Sequence, residues 1–219
     1  MKGRLFLTSY FAETAPLFEK FVNPWIRDRK VLFIPTAGNT EEYRGYIEEG
    51  MQCFRAMGYE VHVMDAAETD EAEAVRRISG TGFLYVSGGN TFYLMQELRR
   101  KHLTELIRSR TEEGMVYAGE SAGAVIAAPD IGYNQIMDDS RAAPELMSYR
   151  GLGLVPFSVL PHYGEFPFAE TSAQTFEKYH SVLNLVPLTN AESVIADGPA
   201  WCVRGLGDIV IPDKKKEES

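Results

Sequence analysis

The chain has 219 residues, 45% hydrophobic and 24% charged, a size and balance that fit one soluble domain with a sizeable core over residues 1–219. Its net charge of −9 argues against the basic face that binding a phosphate backbone requires, so nucleic acid is not an expected partner. Cys53 and Cys202 lie far apart in no metal-ligand spacing and read as small core residues, so neither a disulfide framework nor a metal or other cofactor is expected.

Met1-Lys2-Gly3-Arg4 runs straight into a short strand, Leu5 to Thr8, with no signal peptide expected ahead of it. No apolar run approaches a membrane span, and the cytoplasm is the expected compartment. Lys30 to Ile34 reads as a second strand, closed by Pro35. Glu41 to Met57 places Tyr43, Tyr46, Ile47, Met51 and Phe54 near helical spacing, with Gly58 as its stop. Tyr59 to Met64 is a third strand, and Asp70 to Ile78 a helix capped by Thr69 or Asp70. Phe83 to Val86 is a buried strand that ends in Ser87-Gly88-Gly89-Asn90, with a helix from Thr91. Met115 to Ala118 is another, followed by Gly119-Glu120-Ser121-Ala122-Gly123 and a helix-compatible run to Ala128.

Apolar strands separated by helices indicate a largely parallel sheet with helices on both faces. After Leu152 the pattern changes. Phe157 to Leu160, Leu185 to Leu188, Ser193 to Ala196, Ala200 to Arg204 and Asp208 to Ile211 read as short strands around one helix, Ala169 to His180. Their turn residues, Asp197-Gly198 and Gly205-Gly207, suggest an antiparallel extension of the sheet. Lys214 to Ser219 reads as a solvated tail.

Gly119 to Gly123 has the G-x-S-x-G form of a nucleophile elbow. The strand turns sharply into a helix, and side chains at the flanking positions would crowd the turn. The serine stands above the first free amides of the helix, where the helix dipole favours a developing negative charge. The Gly88-Gly89 turn at the same sheet edge is a second source of amide donors for one oxyanion hole. Ser121 needs a base. His62 falls in a strand, and His102 and His180 fall at helix ends. His162 follows Phe157 to Pro161 at the carboxyl end of a strand and is the expected base. The acid that would orient it is open among Asp130, Asp138, Asp139, Glu145 and Glu165. Glu120, beside the serine, is expected to line the pocket or to bury against a cation.

Three pieces, Gly88-Gly89-Asn90-Thr91-Phe92, Gly119-Glu120-Ser121-Ala122-Gly123-Ala124 and Leu160-Pro161-His162-Tyr163, resemble in order and separation the peptidase family S51 of aspartyl dipeptidases and cyanophycinases. The resemblance implies a class I glutamine-amidotransferase-like α/β fold, Ser121 as nucleophile, His162 as base, and the amides of Gly89 and Ala122 as the oxyanion hole. Aspartyl dipeptidases carry tryptophan before the serine, where this chain has Glu120. Their catalytic aspartate falls near Tyr133-Asn134-Gln135-Ile136-Met137, which holds no acid. The separation of Asp138 and Asp139 from Ser121 is similar to the cyanophycinase spacing. Asp139 is therefore the expected orienter, with Asp138 and Glu165 in reserve.

Asn90, Glu120 and Arg141 are the expected substrate contacts, Arg141 as an anchor for a carboxylate. The expected function is a serine exopeptidase acting on short peptides. An esterase or amidase with the same elbow, and a binding protein that keeps the fold without catalysis, are the alternatives. A second copy of the chain is a candidate partner, and a membrane is not.

Overall fold

The computed structural model describes residues 3–209. In chain order its elements are β1 (Arg4–Thr8), α1 (Phe11–Phe21), β2 (Lys30–Ile34), α2 (Gly45–Ala56), β3 (Glu60–Val63), α3 (Glu71–Gly80), β4 (Phe83–Val86), α4 (Thr91–Arg100), α5 (Leu103–Glu112), β5 (Val116–Glu120), α6 (Ala122–Val125), β6 (Ser158–Leu160), α7 (Ala169–Tyr179), β7 (Leu185–Pro187), β8 (Glu192–Asp197) and β9 (Ala200–Gly205).

Seven strands form one sheet in the order β3-β2-β4-β5-β1-β8-β9. The first five are mutually parallel, and β8 and β9 extend the β1 side antiparallel. Every residue of β4 and β5 is buried, as central strands covered on both faces require. One face carries an aromatic cluster in which Phe11 and Phe18 of α1 and Phe54 of α2 meet Phe6, Phe33, Phe83 and Tyr85 of the strands. Phe54 is fully buried and touches Phe11, Phe18, Phe83 and Tyr85 in edge and stacked geometry. Each such ring contributes about 1.5–3 kcal/mol by burial. The other face packs α3, α4, α5 and α6 against Leu5, Leu7, Ile34, Leu84, Val86 and Tyr117.

The expected fold class therefore holds, with local differences. Helices α1 and α5 have no counterpart among the expected elements. α2 begins at Gly45, not Glu41: Thr36–Thr40 winds as a 3₁₀ turn and residues 41–44 follow it without helix. β6 and β7 pair with each other in a separate parallel two-stranded sheet instead of joining the antiparallel extension. β6 lies against α6 and α7, so its three residues are buried away from the edge of the main sheet. Cys202 is exposed on β9, the outermost strand, and is not a core residue; Cys53 is partly buried against the aromatic cluster. Asp208 ends a 3₁₀ turn, Leu206–Asp208, where a strand was expected. Residues 210–211 of that strand and the tail Lys214 to Ser219 lie outside the described residues.

Two glycines let β5 and α6 meet. A methyl group on Gly119 would lie 2.3 Å from the Gly123 carbonyl oxygen, and one on Gly123 would lie 2.2 Å from the Val86 carbonyl oxygen. Both distances are far inside van der Waals contact with rigid backbone. Gly123→Ala should destabilise the fold by on the order of 3 kcal/mol, because strand or helix must shift. Gly80→Ala, at the end of α3 with nothing within 4 Å, is the control and should be neutral or slightly stabilising. Urea denaturation of the two variants checks the contrast; equal stabilities would refute the packing account.

Candidate active site

Ser121 joins β5 to α6 at φ +48° and ψ −108°, a left-handed backbone angle that costs a non-glycine residue on the order of 1–3 kcal/mol. Hydrogen bonds over-determine it. Its amide donates to the Thr8 carbonyl at 2.8 Å, and its own carbonyl accepts from Ala124 and Val125 at 2.9 Å. Tyr117 clamps the turn from below, its hydroxyl donating to the Gly123 carbonyl at 2.7 Å.

His162 lies just beyond β6, also left-handed at φ +56°. Its amide donates to Ser9 Oγ at 3.0 Å, and Ser9 Oγ donates in turn to the Leu188 carbonyl. The imidazole stacks on Phe168 with ring centroids 4.7 Å apart. Nε2 stands 3.1 Å from Ser121 Oγ. Nδ1 stands 2.8 Å from Asn190 Oδ1. A carbonyl oxygen only accepts, so it selects the tautomer with hydrogen on Nδ1 and leaves the Nε2 lone pair for the serine hydroxyl. Burial holds the imidazole pKa below its usual 6.5, opposed by the Asn190 hydrogen bond and the Glu165 charge.

Asn190 occupies the loop between β7 and β8. Glu192 organises that loop by accepting from both the amide and the hydroxyl of Thr189 at 2.9 Å. Asn190 lies outside the expected candidates for the orienter, which are all carboxylates. The available signal was an amide side chain just after the apolar run Leu185 to Leu188.

Asp139 does not meet His162. Its side chain caps the 3₁₀ turn Ser140–Ala142 through the Arg141 amide, and the Arg141 guanidinium engages both carboxylate oxygens at 2.8–3.0 Å. That pairing holds its carboxyl below the ordinary carboxylate value. Arg141 is exposed, with its guanidinium paired to Asp139. Asp138 is turned inward, accepting from the Thr91 amide at 2.8 Å and from Asn134 Nδ2 at 2.9 Å. Burial pushes its pKa up to about 6.

Asn90 is likewise a structural group. Its Oδ1 caps α4 by accepting from the Phe92 and Tyr93 amides, and its Nδ2 donates to the Asp139 carbonyl at 3.0 Å. Asn90 and Asp138 thus tie the loop after α6 to the start of α4. Among the described residues, no cation stands against Glu120. It is buried, and its carboxylate accepts from the Phe11 amide at 2.9 Å and the Tyr85 hydroxyl at 2.8 Å.

The Gly88-Gly89 turn reaches the serine. A methyl group on Gly88 would lie 3.3 Å from Ser121 Cβ. Gly89 takes φ +127° and passes so close to Ala37 that a methyl group there would fall 2.2 Å from the Ala37 carbonyl carbon. Among the described residues, neither the Gly89 amide nor the Ala122 amide has a hydrogen-bond acceptor.

The chain is similar to known peptidases over most of its length. The model of peptidase family S51 matches residues 2–201. The chain is 37% identical over 202 residues to an uncharacterised peptidase of Pasteurella multocida, covering 92% of this chain and 97% of that one. It is 32% identical over 213 residues to peptidase E of Shewanella amazonensis, covering 95% and 84%. A Listeria monocytogenes protein solved as a candidate peptidase E superposes with a TM-score of 0.89 at 38% identity, covering 94% of this chain and 100% of that one. The chain belongs to peptidase family S51 and is a serine-type peptidase with the class I glutamine-amidotransferase-like fold.

Proposed function

We propose that the protein is an exopeptidase that cleaves short peptides through Ser121 and His162, with Asn190 as the group that orients the imidazole. The observation that carries this reading is the unbroken line Ser121 Oγ, His162 Nε2, His162 Nδ1, Asn190 Oδ1, with steps of 3.1 and 2.8 Å. Likeness to proteins named peptidase E supports a peptidase; the exopeptidase action on short peptides is the expectation carried by the resemblance to aspartyl dipeptidases.

Ser121 Oγ attacks the scissile carbonyl while His162 Nε2 takes its proton. The negative charge that forms on the carbonyl oxygen is received by the amides of Gly89 and Ala122, which have no other acceptor among the described residues. The imidazolium returns the proton to the leaving amine. Water then attacks the acyl-serine with His162 again as base. Asn190 holds tautomer and ring plane throughout but brings no negative charge to the imidazolium.

Ser121→Ala and His162→Ala should each lower peptide turnover by about a thousandfold or more. Asn190→Ala should lower it by about tenfold to a hundredfold, the size of one buried hydrogen bond to the base. Asp139→Asn should stay near wild type. Steady-state hydrolysis of a dipeptide and tripeptide library measures all four. A crippled Asp139→Asn with an intact Asn190→Ala would reverse the assignment of the orienter.

A second expectation follows from the desolvated ring. The His162 imidazole should titrate with a midpoint below 6.5, as followed by its carbon-bound protons in NMR. The folded state then binds this proton less tightly than the unfolded chain does. His162 therefore contributes stability that is present above about pH 6.5 and lost as pH falls through the lower folded value. A midpoint above 6.5 would show that burial does not dominate.

A further inference from the structure

Glu120 is a second buried polar group at the elbow, and the hydrolysis described above gives it no part. Its side chain leaves β5 on the face opposite α6 and enters the cluster of Phe11, Phe33, Phe54 and Tyr85. There its two oxygens are shared between two elements. Oε1 accepts from the Phe11 amide, the first of α1, and Oε2 accepts from the Tyr85 hydroxyl of β4. The Gly88 amide also favours its charged form.

The loop held by Oε1 matters most. Residues 8–11 connect β1 to α1 and touch both reacting side chains' backbones. The Thr8 carbonyl accepts from the Ser121 amide, and Ser9 Oγ accepts from the His162 amide. Three residues after Thr8, the Phe11 amide closes the strap onto Glu120. β4, held by Oε2 through Tyr85, leads directly into the Gly88-Gly89 turn beside the serine. A single carboxylate therefore joins the strap that carries Ser121 and His162 to the strand that carries the oxyanion turn.

We propose that Glu120 is a positioning residue for the peptidase reaction: in its charged form it fixes the residue 8–11 strap and the Gly88-Gly89 turn about Ser121, and protonating it loosens both. The proposal rests on the assignment of Ser121 and His162 above. A carboxylate can accept at both oxygens, whereas a carboxylic acid turns one oxygen into a donor. Protonated at Oε2, it keeps a carbonyl oxygen for the Phe11 amide but must donate to the Tyr85 hydroxyl where it had accepted, and both bonds lose their charge assistance.

The environment puts this switch within reach of ordinary pH. Burial raises the Glu120 pKa to about 7, against the hydrogen bonds from Phe11, Tyr85 and Gly88 that lower it. The other titratable groups facing it are Glu49, Tyr46 and Cys53 of α2, Tyr10 before α1, and Tyr85 of β4. Tyr10 hydrogen-bonds Glu49, which adds to the negative charge near the carboxylate.

The test is the rate at which a fluorophosphonate labels Ser121 between pH 5 and 9, because labelling needs no peptide substrate. The full-length wild type, Glu120→Gln and Tyr85→Phe are compared, with thermal melts at each pH. Wild type should gain about tenfold or more in labelling rate across a midpoint near 7. Glu120→Gln should lose that step, keep only the His162 step below 6.5, and label more slowly at pH 8. Tyr85→Phe keeps the carboxylate but removes a hydrogen bond to its charged form, so the step should persist with its midpoint moved upward. This second variant decides the matter if Glu120→Gln does not fold. A Glu120→Gln protein with the wild-type profile, or a Tyr85→Phe midpoint left in place, overturns the proposal. Labelling without peptide hydrolysis would instead overturn the peptidase reading and leave the Glu120 test standing.

Discussion

Ser121 is held at a backbone angle that an L-residue avoids, and the contacts that hold it there organise the site. Gly119 lies against the Gly123 carbonyl, and Gly123 lies against the Val86 carbonyl. β5, α6 and the end of β4 are therefore packed backbone to backbone. That leaves room for neither a side chain nor a displaced turn. The same packing brings the Gly88-Gly89 turn beside the serine and aims the start of α6 at it. The strain of about 1–3 kcal/mol at Ser121 is sustained because Thr8, Ala124, Val125 and Tyr117 all bind the elbow at once.

The site is assembled around neutral groups. His162 is stacked, desolvated and biased toward its uncharged form, which is the form a base needs. Its second nitrogen meets an amide, not a carboxylate. A charged partner would make a stronger hydrogen bond and stabilise the imidazolium, whereas an amide orients the ring without adding charge. The acids nearby, buried Glu120 and part-buried Asp138, are turned to structural donors instead: Phe11 and Tyr85 for one, Thr91 and Asn134 for the other. Both carboxyls are raised by burial toward neutral pH, so the ties they make are themselves sensitive to protonation.

Much of the fold was legible because local chemistry dominates it. β2 and β4 have the expected bounds, since short apolar runs between a turn and a proline or glycine pair permit few other readings. The elbow and the turn before α4 were legible for the same reason: backbone contact admits only glycine at Gly89, Gly119 and Gly123. α1 was missed because its buried positions, Phe11, Thr14, Leu17 and Phe18, include a polar residue and flank Pro16, which weakens the helical pattern. β6 and β7 pair outside the main sheet, a partnership of which strands this short carry no record.

Asp139 and Asn190 divide what the sequence alone determined from what the tertiary structure decided. The sequence determined the elbow serine, the glycines that permit it, the histidine at the end of an apolar strand, and the family to which these motifs point. It could not determine which side chain meets the second imidazole nitrogen. Asp139 lies closer in sequence to both Ser121 and His162, but Arg141, two residues away, reaches its carboxylate first. Asn190 comes from a loop 28 residues beyond His162. It arrives there only because β7 pairs with β6, the Leu188 carbonyl binds Ser9 and Tyr163, and Glu192 folds the loop around Thr189. Residue type and spacing specify turns, where the interacting atoms are neighbours in the chain; the partner of His162 is specified by packing among distant segments, which leaves no local pattern to read.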